Sequence, residues 1–206
     1  MEIIELVIDE NEEFSGIEAI SVVESPAIEE DFIALKNEDK IRLAEVSKEK
    51  RLLIGGALIP DRPIYRKNGD HEFYIYFSKE TVAKASQMFL KAGNQGQATM
   101  EHTDNKLEGM TVVESWLIED EVQDKSRKYG LDLPIGTWMV SMKVDNDDIW
   151  NNYVKKNKVK GFSIEGYFID RLSERPKDKQ TDKLSQDDKL LNEIIDVLKE
   201  SKTNKK

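Results

Sequence analysis

Short stretches of alternating hydrophobic and polar residues recur along most of this chain, which is a strand-like rather than a helix-like pattern. Residues 2–8 (EIIELVI) and 17–24 (IEAISVVE) are β-branched runs separated by an acidic turn containing Gly16, and they predict a hairpin. Pro26 breaks the second run, and residues 36–50 are so strongly charged that they predict a connector or short helix. From Arg51 the composition changes. RLLIGGALIP is an apolar run closed by Pro60, followed by a turn at Asn68-Gly69 and an aromatic strand from Glu72 to Phe77. Ser78 is placed to cap a helix in which Val82, Ala85, Met88 and Phe89 share one face, and Gly93 ends it.

Two more strand-like runs, QATMEHT and MTVVESWLIED, are joined by the turn residues DNKLEG, which again predicts a hairpin. A polar connector from Glu121 to Gly136 leads to the strand TWMVSMKV. DNDDIWNNYVKKNK then reads as a helix capped by Asp145 or Asn146, with Ile149, Trp150, Tyr153 and Val154 facing inward. The strand VKGFSIEGYFID follows. About six strands and two helices, with hairpins frequent, predict a β-rich α+β fold: a mostly antiparallel sheet or barrel, closed or partly open, flanked by helices. Residues 1–35 read as an N-terminal hairpin segment of that fold, 36–50 as a charged connector and 51–172 as the core. Residues 173–189 read as a flexible charged linker. Residues 190–206 read as an amphipathic helix with a basic end, Leu190, Leu191, Ile194, Ile195 and Leu198 lying on one stripe.

Charge and composition narrow the function. Among 206 residues, 31 are basic and 41 acidic, giving a net charge of −10, which argues against nucleic acid as a partner. The absence of cysteine excludes disulfides, thiolate metal sites and a cysteine nucleophile. No apolar run approaches the ~20 residues that span a bilayer, so no membrane association is expected and the chain reads as soluble and intracellular. DNDDIWNN lacks the glycine and closing glutamate of a calcium loop, the acidic clusters lack histidines at zinc-ligand spacing, and no glycine-rich phosphate loop is present. Neither metal nor cofactor is therefore expected.

Only two histidines exist, so the choice of a general base is short. His71 heads a strand just after a tight turn and reads as a solvated turn residue. His102 lies near the end of a strand entering a turn, where a residue is held rigidly yet open to solvent. In KVKGFSIEGYF, Ser163 sits in a strand flanked by Gly161 and Gly166, which leave room for another backbone to come close. A serine tolerated in a sheet would look the same. A serine hydroxyl needs a base to become a nucleophile, and His102–Ser163 is one of very few pairings the chain allows. A carboxylate should orient the imidazole. Glu114 is the first choice, on the premise that its strand pairs in a hairpin with that of His102. Glu165, two residues beyond Ser163 and on the same face at ~7 Å along a strand, and Asp104 remain open.

The blocks ALIPDRPIYR, FYIYFSKETV, MEHTDNKLEGMTVVESWLIED, YGLDLPIGTWMVSMKVDNDDIW and VKGFSIEGYF, in this order, resemble the XkdF-type phage prohead serine proteases. Upstream, GIEAISVVESPAIEEDFIAL is similar to that family's N-terminal segment, so the resemblance spans Ile3 to Ile169. It implies a herpesvirus-protease-like barrel, with the family's histidine falling on His102 and its serine on Ser163. It further implies a peptidase packaged inside the assembling prohead in the host cytoplasm. Such an enzyme cuts segments of scaffold and major capsid proteins, and itself, and dimerises. The rival expectation is a non-catalytic capsid-assembly or scaffolding module with the same fold.

Overall fold

The computed structural model describes residues 2–9, 15–28, 33–35, 50–103 and 105–170. The predicted connector at 36–50, the linker at 173–189, the helix at 190–206 and Asp104 lie outside them, apart from Lys50. In chain order the elements are β1 (Glu2–Val7), β2 (Gly16–Val23), β3 (Ile33–Leu35), β4 (Leu52–Leu58), β5 (Ile64–Asn68) and β6 (His71–Tyr76). Then come α1 (Lys79–Lys91), β7 (Ala98–Met100), β8 (Met110–Leu117), β9 (Trp138–Val144), α2 (Asp147–Ile149), β10 (Gly161–Tyr167) and β11 (Ile169–Asp170).

The strands form three sheets, with orders β11-β1-β6-β5, β10-β2-β7 and β3-β4-β9-β8. Most neighbours are antiparallel; β1 with β6 and β2 with β7 are parallel. The β-rich class is as expected. A closed barrel is not what these pairings make, because among the described residues each of the three sheets ends in edges. The chain itself joins two of them: β10 runs through Phe168 directly into β11, so one continuous stretch serves two sheets. Strands outnumber the expectation in part because β3 and β11 are only three and two residues long, too short to leave an alternating signature.

Local signals set several elements. Ser78 accepts from the Thr81 N–H at 3.4 Å to cap α1, whose buried Val82, Ala85 and Phe89 face the core. Phe89 meets the β9 ring of Trp138 edge-on at 5.4 Å. Asn146 caps α2 by accepting from the Ile149 N–H at 3.1 Å, and the chain continues through a π-helical turn at Trp150–Val154. The β5–β6 hairpin is present, with Asn68 opposite His71 and Gly69 at φ +61° in the turn.

Two hairpin expectations fail. β1 does not pair with β2 but lies between β6 and β11, and β7 does not pair with β8. The long apolar β9, buried at every position except Lys143, captures both β4 and β8 instead. Burial on both faces marks a central strand, and satisfying it outweighs the local turn between β7 and β8.

The central strand of the second sheet is β2, of which only Glu18 is exposed. On it β10 is laid antiparallel with Ser163 opposite Ser21, and β7 parallel with Thr99 opposite the same Ser21. The register shifts once: Glu165 pairs with Ala19 and Gly166 with Ile17, leaving Glu18 as the extra residue of a β-bulge. Gly166 makes this possible, because a Cβ there would lie 2.0 Å from the Gly16 carbonyl oxygen. The room left by this glycine is filled by the chain's own β2. Gly166→Ala is expected to lower stability by at least about 1–3 kcal/mol, as backbone must move. Gly96→Ala, where a Cβ meets nothing within 4 Å, should stay within about 0.5 kcal/mol. Thermal melts of the two variants check this.

Candidate active site

Ser163, Ser21 and Thr99 stand side by side on three adjacent strands, and partners in register present their side chains to the same face of a sheet. Ser163 is 7% exposed and Ser21 is completely buried. Glu165, two residues past Ser163 and still ahead of the register shift, shares that face. Its carboxylate accepts a hydrogen bond from the Thr99 hydroxyl, which confirms the facing.

His102 reaches the same face from the turn after β7. Nδ1 of its ring is 3.3 Å from Glu165 Oε1. A carboxylate can only accept, so this contact favours the tautomer with the proton on Nδ1 and leaves the Nε2 lone pair free. The turn that delivers the ring is strained: Glu101 and His102 have φ of 50° and 55°, left-handed values that cost non-glycine residues about 1–2 kcal/mol each. Side chains hold it there. The His102 N–H donates to Ser21 Oγ at 3.1 Å, and the Glu101 carboxylate accepts from the Glu24 N–H at 2.6 Å. The backbone adds a bond from the Glu101 N–H to the Val22 carbonyl at 3.2 Å. Positive φ without glycine is recognisable in coordinates and silent in sequence, so neither Ser21 nor Glu101 could be singled out beforehand.

Glu114 is placed differently. It lies on β8, opposite Ser141 of β9, and its carboxylate accepts from the Ser141 hydroxyl and from Lys125 Nζ at 2.5 Å. The hairpin that would have carried it to His102 is absent, and the carboxylate beside the imidazole is Glu165. The hydrogen bond from Lys125, with that from Ser141, holds the Glu114 carboxyl below its ordinary range. His71 is exposed, 3.2 Å from Glu2 and stacked on Phe73. Among the described residues no group of acidic or histidine side chains could hold a metal ion, and no helix is long and apolar enough to cross a membrane.

A buried strand serine and an imidazole–carboxylate pair on the same sheet face are the kinds of group that a serine hydrolase uses. The family model described as "Putative phage serine protease XkdF" matches residues 40–170, more than half of the chain. The chain belongs to this family of phage serine proteases. No curated protein and no solved structure matches it. The matched residues include His102, Thr99, Ser163 and Glu165, whereas β2 with Ser21 precedes them.

Two outcomes test this geometry. Ser21→Ala removes one neutral hydrogen bond, about 1 kcal/mol, and loosens the turn, which keeps its two other bonds. In imidazole nitrogen spectra the His102 signals should shift and broaden while those of His71 stay put; unchanged His102 signals would show that Ser21 does not hold the ring. Glu114 is stabilising in its charged form: its folded pKa lies below the unfolded one, so the contribution is full above the unfolded value and fades as pH falls through the folded one. Glu114→Gln should therefore destabilise at pH 7, and its urea midpoint should begin to converge on that of the parent near roughly pH 4.3 and meet it only below the lowered folded value.

Proposed function

We propose that this chain is a prohead maturation endopeptidase in which Ser163 is the nucleophile, His102 the general base and Glu165 the group that orients the imidazole. The observation that carries the reading is the 3.3 Å contact between His102 Nδ1 and Glu165, on the sheet face to which Ser163 belongs. Ser163 Oγ attacks a peptide carbonyl carbon while Nε2 of His102 takes its proton. The Glu165 carboxylate stabilises the imidazolium, and Thr99 steadies it by donating to the same oxygen, Oε1. The C–N bond then breaks as the imidazolium passes its proton to the leaving amine, giving an acyl-enzyme. A water, deprotonated by the same imidazole, hydrolyses that ester and restores the Ser163 hydroxyl.

The sequence resemblance supplies the substrates: segments of scaffold and major capsid proteins inside the assembling prohead, with self-cleavage and dimerisation as further features. Polypeptide in a confined shell suits a nucleophile fixed in a strand, because turnover then depends on presentation of an extended segment rather than on capture from dilute solution.

In co-expression with its capsid and scaffold proteins, Ser163→Ala should fold and abolish processing. Glu165→Gln should cut it by about 10²–10⁴-fold, the range of a misdirected general base. Glu114→Gln should leave processing within about twofold of the parent, as a charge outside the site. Gel and mass-spectrometric analysis of the products reads all three, and undiminished processing by Ser163→Ala would favour the non-catalytic assembly module instead.

A further inference from the structure

Next to the His102–Glu165 pair the surface opens into a cleft of about 530 Å³. Glu165 and Thr99, which are bonded to each other, are among its lining residues. From there it runs away from Ser163 along the leading end of β2, Gly16 to Ala19. Met88 and Ala92, at and just past the end of α1, and the exposed Lys106 also line it.

Three features say what would fill it. First, β7 accompanies β2 only from Ile20 to Val22, so on that side the leading end of β2 has no strand neighbour among the described residues. A strand flank without a neighbour is a template for an extended chain. Second, Asn94 already plays this part, donating from Nδ2 to the Ile17 carbonyl at 3.1 Å in place of a backbone N–H. Third, Gln97, another lining residue, keeps a buried side-chain oxygen that has no partner among the described residues. A buried acceptor left unpaired is costly, and turning the Gln97 amide toward the cleft would let an incoming peptide N–H satisfy it. The remaining lining mixes hydroxyls, amides and short apolar groups, which suits recognition of main chain more than of one large side chain.

We infer that this cleft binds an extended peptide segment of the substrate, flanking the scissile bond and laid alongside β2 on the Glu165 side of Ser163. The inference rests on the proposed peptidase reading and adds to it the subsite and the mode of recognition. It makes the β2 segment, which precedes the residues matched by the family, part of the substrate-binding surface.

The test separates binding from chemistry. Ser163→Ala protein is screened against immobilised overlapping peptides tiled through the capsid and scaffold proteins with which it is expressed. The screen is repeated with Ala92→Trp and with Lys106→Trp added, both exposed positions at which an indole would fill the cleft. In parallel, chains with intact Ser163 are treated with a small alkyl fluorophosphonate, which esterifies an activated serine with loss of fluoride and is too small to need the cleft. The expected result is a set of bound peptides whose affinity drops at least tenfold in both tryptophan variants, with Ser163 labelling unchanged within twofold. Peptides bound equally well by the variants, or no peptide bound at all, would overturn the cleft assignment while labelling left the serine hydrolase standing. Peptide binding lost in the variants without any labelling of the parent would keep the cleft and remove the hydrolase reading.

Discussion

The register of β10 against β2 is the constraint on which the site depends. With Ser163 opposite Ser21 and Glu165 opposite Ala19, both side chains of β10 point to the face that carries Thr99 and the His102 ring. A slip of one residue would exchange Ser163 and Glu165 for Ile164 and turn Phe162 out of the core, where it is fully buried. The hydrophobic alternation of β10 therefore enforces the facing of its polar residues. Gly166 adds a second lock, since only a residue without Cβ lets the Gly16 carbonyl come so near.

A serine, a histidine and a glutamate brought to one face still require the imidazole to be aimed. Here the aim comes from two consecutive residues in left-handed backbone conformation, Glu101 and His102. Such a turn persists only where surrounding bonds over-determine it. Ser21 supplies one from the middle of the sheet and Glu101 another to the Glu24 amide. Because Ser21 is also the direct neighbour of Ser163, the strand that positions the proposed nucleophile holds the proposed base by its backbone. Distortion of β2 would disturb both ends of the proposed proton transfer together.

The parts of this fold that show in the sequence are those whose cause is local. The Ser78 cap, the apolar stripe of α1, the two-residue turn at Gly69 and the continuous burial of β9 each follow from residues a few positions apart. Partnerships between strands do not. The parallel union of β2 with β7 joins Ile20 to Ala98 across the whole of β3 to α1, and no nearest-neighbour pattern encodes it. That is why Glu114 looked better placed than Glu165: the turn DNKLEG suggested a hairpin, while the real partner of β8 lies ahead in β9. His102 stands out by scarcity, because the chain has two histidines and no cysteine, and Ser163 by the glycines that flank it in its strand. Ser21 and Thr99, ordinary hydroxyls on strands, carry no such mark.

The contrast between the two glutamates shows how surroundings assign roles to identical side chains. Glu114 accepts from a lysine ammonium, a full positive charge already in place, so its charge is neutralised before any reaction begins. Glu165 accepts from a neutral hydroxyl and lies 3.3 Å from an imidazole nitrogen, with no lysine or arginine bonded to it among the described residues. A carboxylate in the first position stabilises the ground state, whereas under the proposed mechanism one in the second gains a cationic partner only as the imidazolium forms, which is when differential stabilisation lowers a barrier.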